Sequence, residues 1–261
     1  MTERVAGEVR TVASLEACER REMLALLRRY FVGVSPGQFE RDLAEKEWVI
    51  LLRDAASGAT RGFSTLMRLE TVLDGPEDAA RPGDAARPGG QRVVAYFSGD
   101  TVVDRAYWGG TELPRRFARH VFALAAAERR AVPGAAVYWF LICSGYRTYR
   151  FLPVFFREFF PTHRRPTPTG ARRVLDTLAT RKFPTTYDAT AGVLRPHPAA
   201  RLRPGVAEVG PEQLRNADVA YFVNANPGHA AGDELACLAE LRPDNLTRAG
   251  RRMLYGSGGA R

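Results

Sequence analysis

The sequence predicts an α/β (α+β) protein folded as one domain over residues 1–261. Three observations predict it. The composition is that of a globular chain, 45% hydrophobic and 26% charged, with 10% aromatics to build a core. Strand-like and helix-like segments alternate along its first 160 residues. Residues 135–143 are continuously apolar and rich in aromatics, the pattern of a central strand buried on both faces.

Each element has a local reason. Over residues 14–31, Ala17, Met23, Leu24, Leu27 and Phe31 recur at helical spacing behind Ser14, a capping residue. Ser35 followed by Pro36 starts a short second helix running to about Lys46. Residues 47–54 read as a strand, 55–60 as a turn with Ser57-Gly58 at its tip, and 61–73 as a half-buried strand. The hexapeptide Asp-Ala-Ala-Arg-Pro-Gly occurs twice in tandem, at 78–83 and 84–89, so 74–90 is expected to be a mobile surface loop. Residues 91–110 form a long strand ending in a Gly-Gly turn. A helix over 111–130 buries Phe117, Val121, Phe122, Leu124 and Ala125. After the apolar strand, 146–161 are expected to be helical, with Pro153 near the start, followed by a helix near 170–182. Residues 219–228 read as a last strand, and 232–241 and 245–254 as short closing helices.

Composition also excludes. Cys18, Cys143 and Cys237 are too few and too scattered for a disulfide framework, and a cytoplasmic, reducing location is expected. The longest apolar run is about half of a bilayer span, and the start lacks the apolar stretch of a signal peptide. The formal charge of +9 is nearly all arginine, since Lys46 and Lys182 are the only lysines. Such a surface favours acidic partners in general. The arginines are spread through the chain rather than gathered in a nucleic-acid-binding module, which argues against nucleic acid as a partner. His120, His197 and His229 lack metal-ligand spacing, and no metal is expected.

The order helix, helix, strand, strand, long strand, glycine turn, helix, buried strand, helix resembles that of the GNAT acyltransferases, over roughly residues 12–161. The local match is best at 100–110, where Asp-Thr-Val-Val-Asp-Arg-Ala-Tyr-Trp-Gly-Gly resembles the family's fourth strand and the loop after it. The family loop usually reads Gln/Arg-x-x-Gly-x-Gly/Ala. Residues 108–113 here read Trp-Gly-Gly-Thr-Glu-Leu. The resemblance implies a mixed, mostly antiparallel central sheet flanked by helices. Residues 162–261 would be a C-terminal helical extension that completes the sheet and covers the acceptor side.

The resemblance further implies transfer of an acyl group from acyl-CoA, or from an acyl carrier protein, to an amine. That chemistry needs an acceptor stripped of its proton, a polarised carbonyl and an acid near the leaving thiolate. Unpaired amides of a splayed strand end and the positive end of a helix would hold the donor. The residues so placed are Val102, Val103, Asp104, Trp108, Gly109, Gly110, Thr111, Arg115 and Arg116. For the base, Asp100 and Asp104 share a strand face with Val102, and Asp100 is the first choice, Glu70 the second; a water chain would also serve. For the acid, Tyr146 and Tyr149 stand near the start of the aromatic helix. Arg115, Arg116 and Arg119, with His163, Arg164 and Arg165, would form a basic rim if they converge. The aromatic cluster from Tyr138 to Phe160 is either core or the wall of a slot for a long acyl chain, each buried methylene contributing about 0.8 kcal/mol. The expected acceptor is an amine-bearing peptide or small molecule, such as a lysine or ornithine side chain in a natural-product pathway. The rivals are a small-metabolite N-acetyltransferase using acetyl-CoA and a GNAT-fold binding module without catalysis.

Overall fold

The computed structural model describes residues 5–73, 90–195, 201–206 and 208–256. The tandem repeat, the loop expected around it and His197 lie outside the described residues, Gly90 apart. The chain runs through β1 (Val5–Thr11), α1 (Ala17–Tyr30), β2 (Phe31–Val32), α2 (Pro36–Ala44), β3 (Trp48–Asp54) and β4 (Thr60–Leu73). It continues through β5 (Gln91–Ser98), β6 (Thr101–Val103), α3 (Glu112–Ala131), β7 (Ala136–Cys143), α4 (Tyr146–Tyr149) and α5 (Phe151–Phe155). The last third supplies α6 (Thr169–Lys182), β8 (Tyr187–Asp188), β9 (Val193–Leu194), β10 (Arg201–Leu202), α7 (Pro211–Leu214), α8 (Ala217–Ala225), β11 (Glu234–Glu240) and α9 (Arg248–Tyr255).

The main sheet has the order β1-β3-β4-β5-β7-β11-β9-β8, with β6 continuing beyond β5 on β4. Every pair is antiparallel except β5 and β7. The fold is therefore the mixed, mostly antiparallel sheet flanked by helices that the resemblance implies. Alternation along the strands separates two faces. Val94, Tyr96, Val137, Trp139 and Leu141 pack with α3, α5, α8 and α9. Val93, Ala95, Phe97, Tyr138 and Phe140 pack with α6. Val49, Leu51, Phe63 and Val102 pack with α1 and α2, on the same side as α6.

Several elements differ from the sequence reading, each for a physical reason. Helix α1 starts at Ala17, because Glu16 and Glu19 form a reciprocal capping box. Ser14 instead donates to the Thr11 carbonyl at 2.8 Å. The Ser35 cap is as expected, accepting from the Gln38 amide at 3.1 Å. The edge strand β1 has weak apolar alternation and becomes a strand by pairing with β3. The helix expected over 146–161 is two single turns. Beyond them the chain is extended, with bridges from Phe156 to Leu246 and from Phe160 to Leu238. The assignments at 219–228 and 232–241 are exchanged. Residues 217–225 form a helix capped by Asn216, whose side chain accepts from the Asp218 and Val219 amides. Residues 234–240, rich in helix formers, form a strand held between β7 and β9. Five successive residues of β11 are buried, so it shows no alternation to read.

Candidate active site

The pairing registers place an opening in the middle of the sheet. Between the pairs Met67–Phe97 and Ser64–Thr101, β4 advances three residues while the other strand advances four. One extra residue, at Gly99-Asp100, makes a β-bulge. Strand β7 stays beside β5 as far as Ser98–Leu141, and then runs on beside β11 at Ile142 and Cys143. Strand β6 continues along β4 with no partner on its other edge among the described residues. The sheet thus parts between β6 and β7.

The parted edge carries free donors. Thr65 N–H donates to the Asp100 carbonyl at 3.0 Å and Asp104 N–H to the Arg61 carbonyl at 2.7 Å. These bonds make Phe63–Val102 the bonded pair, so the amides of Thr101 and Val103 point away from β4. Among the described residues the amides of Gly99, Thr101 and Val103 have no acceptor, and the Val103 carbonyl accepts from the Trp108 indole at 2.9 Å. Nearby, α3 begins without a side-chain cap. The amides of Gly109, Thr111, Glu112 and Leu113 are likewise without an acceptor. Gly109 has φ of 85°, a left-handed conformation that glycine tolerates.

A cavity of about 1620 Å³ passes through the opening. That exceeds the roughly 300–1,000 Å³ of a single small-molecule site. On the α3 side its wall is apolar, with Phe117, Val121, Phe122, Phe151, Phe155, Phe156 and Leu254. On the α2–α6 side it is charged, with Asp42, Glu45, Lys46, Asp100, Lys182 and Glu234. Both Arg105 and Arg147 lie over the Trp108 ring, at 5.5 and 4.7 Å. Arg147 also lies over Tyr146 at 5.3 Å.

Two carboxylates in the charged chamber stand apart. In the same chamber Glu45 takes Lys46 and Lys182, and Asp42 accepts from the Gln38 side-chain amide at 2.7 Å; elsewhere Glu19 takes Arg10 and Arg53, Asp104 takes Arg29, and Glu128 takes Arg68. Asp100 and Glu234 have no ion pair among the described residues, although the chain is rich in arginine. Burial lifts the Asp100 carboxyl above the usual range, with Lys46 opposing it. Burial lifts Glu234 to about 7, against a hydrogen bond from the Ser144 hydroxyl, and the charge of Asp100 adds to the rise. A carboxyl poised near neutrality in a cavity suits proton transfer.

Of the residues expected at the site, Asp100, Val102, Val103, Trp108, Gly109, Gly110, Thr111 and Tyr146 line this cavity. The others are placed elsewhere. Glu70 is ion-paired to Arg68 and Arg92, which hold it down near 2, and it does not line the cavity. Tyr149 is fully buried, donates to the Pro161 carbonyl at 2.9 Å and is pushed well above the ordinary tyrosine value by burial. Its hydroxyl proton is therefore committed to that carbonyl rather than aimed into the cavity. Asp104 is spent on Arg29 at 2.8 Å and on the Ala106 amide at 3.3 Å. Arg116 turns toward β1, bonded to Glu112 at 2.8 Å and packed over Gly7. Arg115 does not line the cavity. His163 and Arg164 bind Asp218, and Arg165 binds Glu158, so the expected rim does not converge. Sequence reasoning missed Glu234, Lys46 and Arg147. The segment before Glu234 reads as a strand exit, and only the pairing of β11 with β7 brings that carboxylate to the opening.

Among the described residues no cluster of His, Cys, Asp and Glu could hold a metal ion, and no helix is long and apolar enough to cross a membrane.

No protein-family model and no curated protein matches the chain. Solved structures resemble it at low identity. A conserved protein of unknown function from Enterococcus faecalis V583, described as a probable N-acyltransferase, is 13% identical over 60% of this chain, with a TM-score of 0.38. This chain covers 33% of that protein, about a third of its length. Glucosamine-6-phosphate N-acetyltransferase from Arabidopsis thaliana is 16% identical over 53% of this chain and 82% of its own, with a TM-score of 0.31. AtaT complexed with acetyl-methionyl-tRNAfMet is 15% identical over 57% and 83%, with a TM-score of 0.35. On its own geometry, the chain has the mixed, mostly antiparallel sheet that the sequence reading expects, and that sheet opens between β6 and β7.

Proposed function

We propose that this protein is an N-acyltransferase that moves an acyl group, a fatty one, from a thioester to an amine. The carrying observation is the parted sheet, with three unpaired amides lining a cavity that reaches both faces. Donor phosphates would bind the free amides at the start of α3, where the helix dipole favours negative charge. Arg147 stands beside them. The thioester carbonyl would accept hydrogen bonds from the bulge amides, which stabilise the oxyanion as it forms. The acyl chain would lie along α3, against Phe117, Ala118, Val121 and Phe122. Leu113 to Phe122 spans about 14 Å of helix.

The amine enters from the charged chamber. Glu234, with Asp100 beside it, accepts its proton, and Tyr146 is the remaining tyrosine able to protonate the leaving thiolate. Both acyl-CoA and an acidic acyl carrier protein suit this entrance as donor. The acceptor class extends from small amines to a lysine or ornithine side chain of a peptide.

The test is direct. Mixed with octanoyl-CoA and butylamine, the protein is expected to release free thiol and form N-butyloctanamide. If calorimetry detects no binding of octanoyl-CoA and no thiol appears, the reading is wrong.

A further inference from the structure

We propose that Lys46 is a site of self-acylation, its amine taking the acyl group from a thioester held at the bulge. This rests on the donor site just described. Only two of the 38 basic residues are lysine, and both line the cavity described above. Their amines lie over the Phe97 ring, Lys46 at 5.8 Å and Lys182 at 5.9 Å. Arginine stays charged at any pH a protein meets, whereas lysine can present a neutral, nucleophilic amine. Lys46 does cap α2, donating to the Asp42 carbonyl at 2.8 Å. An arginine can cap a helix end as well, so capping does not explain the choice.

Position points to the chemistry. The Lys46 side chain is 4% exposed, and it is the main charge opposing the half-buried Asp100. Asp100 lies between Gly99 and Thr101, whose amides would hold the thioester carbonyl. The amine and the expected electrophile therefore share one cavity, and holding the two together there lowers the entropic barrier to reaction. Burial also pushes the ammonium down from its ordinary value, enlarging its neutral fraction.

The step balances. One proton of the ammonium passes to Asp100. The neutral Nζ attacks the thioester carbonyl carbon, a C–N bond forms and the C–S bond breaks. The thiolate leaves and takes the proton that the new amide nitrogen sheds. The products are an acyl-lysine and a free thiol. The amide does not turn over, so one acyl group is added per chain.

The experiment incubates the full chain with octanoyl-CoA, without added amine, and reads intact mass and a peptide map. Wild type is expected to gain one octanoyl group, on Lys46. Lys46→Arg is expected to gain nothing while still binding octanoyl-CoA by calorimetry. Asp100→Asn is expected to slow the modification at least tenfold. Should Lys46→Arg fail to fold, the wild-type map decides alone. Wild type that binds octanoyl-CoA yet gains no mass, or gains it on Lys182 or the N-terminal amine, overturns the proposal and spares the donor reading. Wild type that binds no octanoyl-CoA overturns both.

Discussion

Glu234→Gln is expected to lower kcat/KM for an amine acceptor by about a hundredfold or more, the usual worth of a positioned base. The same change is expected to make the protein more stable. Both effects come from one half-buried carboxyl lifted to about 7. Below that pH it keeps its proton and cannot accept another. Wild-type kcat/KM should therefore rise with pH through 7, and Glu234→Gln should lose this inflection. For stability the sign runs the other way. The folded-state value lies above the unfolded one of 4.5. The stabilisation from the protonated group is therefore complete below about pH 4.5 and is lost as the pH rises through 7. Glutamine has no charge to bury, so at pH 8 the variant should be more stable by on the order of 3 kcal/mol. Rate profiles and denaturant melts at pH 5 and pH 8 check both arms. Loss of stability at pH 8 with an unchanged rate profile would remove Glu234 from the reaction.

A second large effect concerns the acyl chain. Each methylene buried along α3 contributes about 0.8 kcal/mol, so kcat/KM should climb about fourfold per carbon while the chain still finds apolar wall. From acetyl-CoA to octanoyl-CoA the gain is on the order of a thousandfold. Ala118 faces the cavity beside Phe117 and Phe122. Ala118→Trp should fill the arm, flatten the climb and leave acetyl transfer within a few-fold of wild type. Rates against acyl-CoA esters of graded length measure this. Preference of the wild type for acetyl over octanoyl would show that the apolar wall serves only as core.

The sequence carried much of this architecture because its strongest signals are local. The amphipathic pattern of α3, the apolar run of β7 and the Ser35-Pro36 start of α2 are each set by neighbouring residues. The stretch proposed to hold the donor was legible in part for the same reason. The bulge, the glycine turn and the start of α3 are contiguous, and Asp100, Val102, Val103 and Trp108 to Thr111 line the cavity, whereas Asp104, Arg115 and Arg116 do not. The acceptor side was not, because it is assembled from distant parts. Lys46 follows α2, Lys182 ends α6 and Glu234 begins β11. No spacing rule links them, and β11 conceals its nature behind helix-forming residues. Tyr149 misled in the opposite way. Its place in an aromatic helix fits an acid, but its hydroxyl is already committed to the Pro161 carbonyl.

Amide hydrogen exchange at Gly99, Thr101 and Val103 tests the parted sheet most directly. In the free protein these three amides should exchange fast, while Val102, bonded to Phe63, is protected. Adding octanoyl-CoA should slow the three markedly and leave Val102 as it was. Slow exchange at all four before any donor is added, or no change on adding it, would contradict the account.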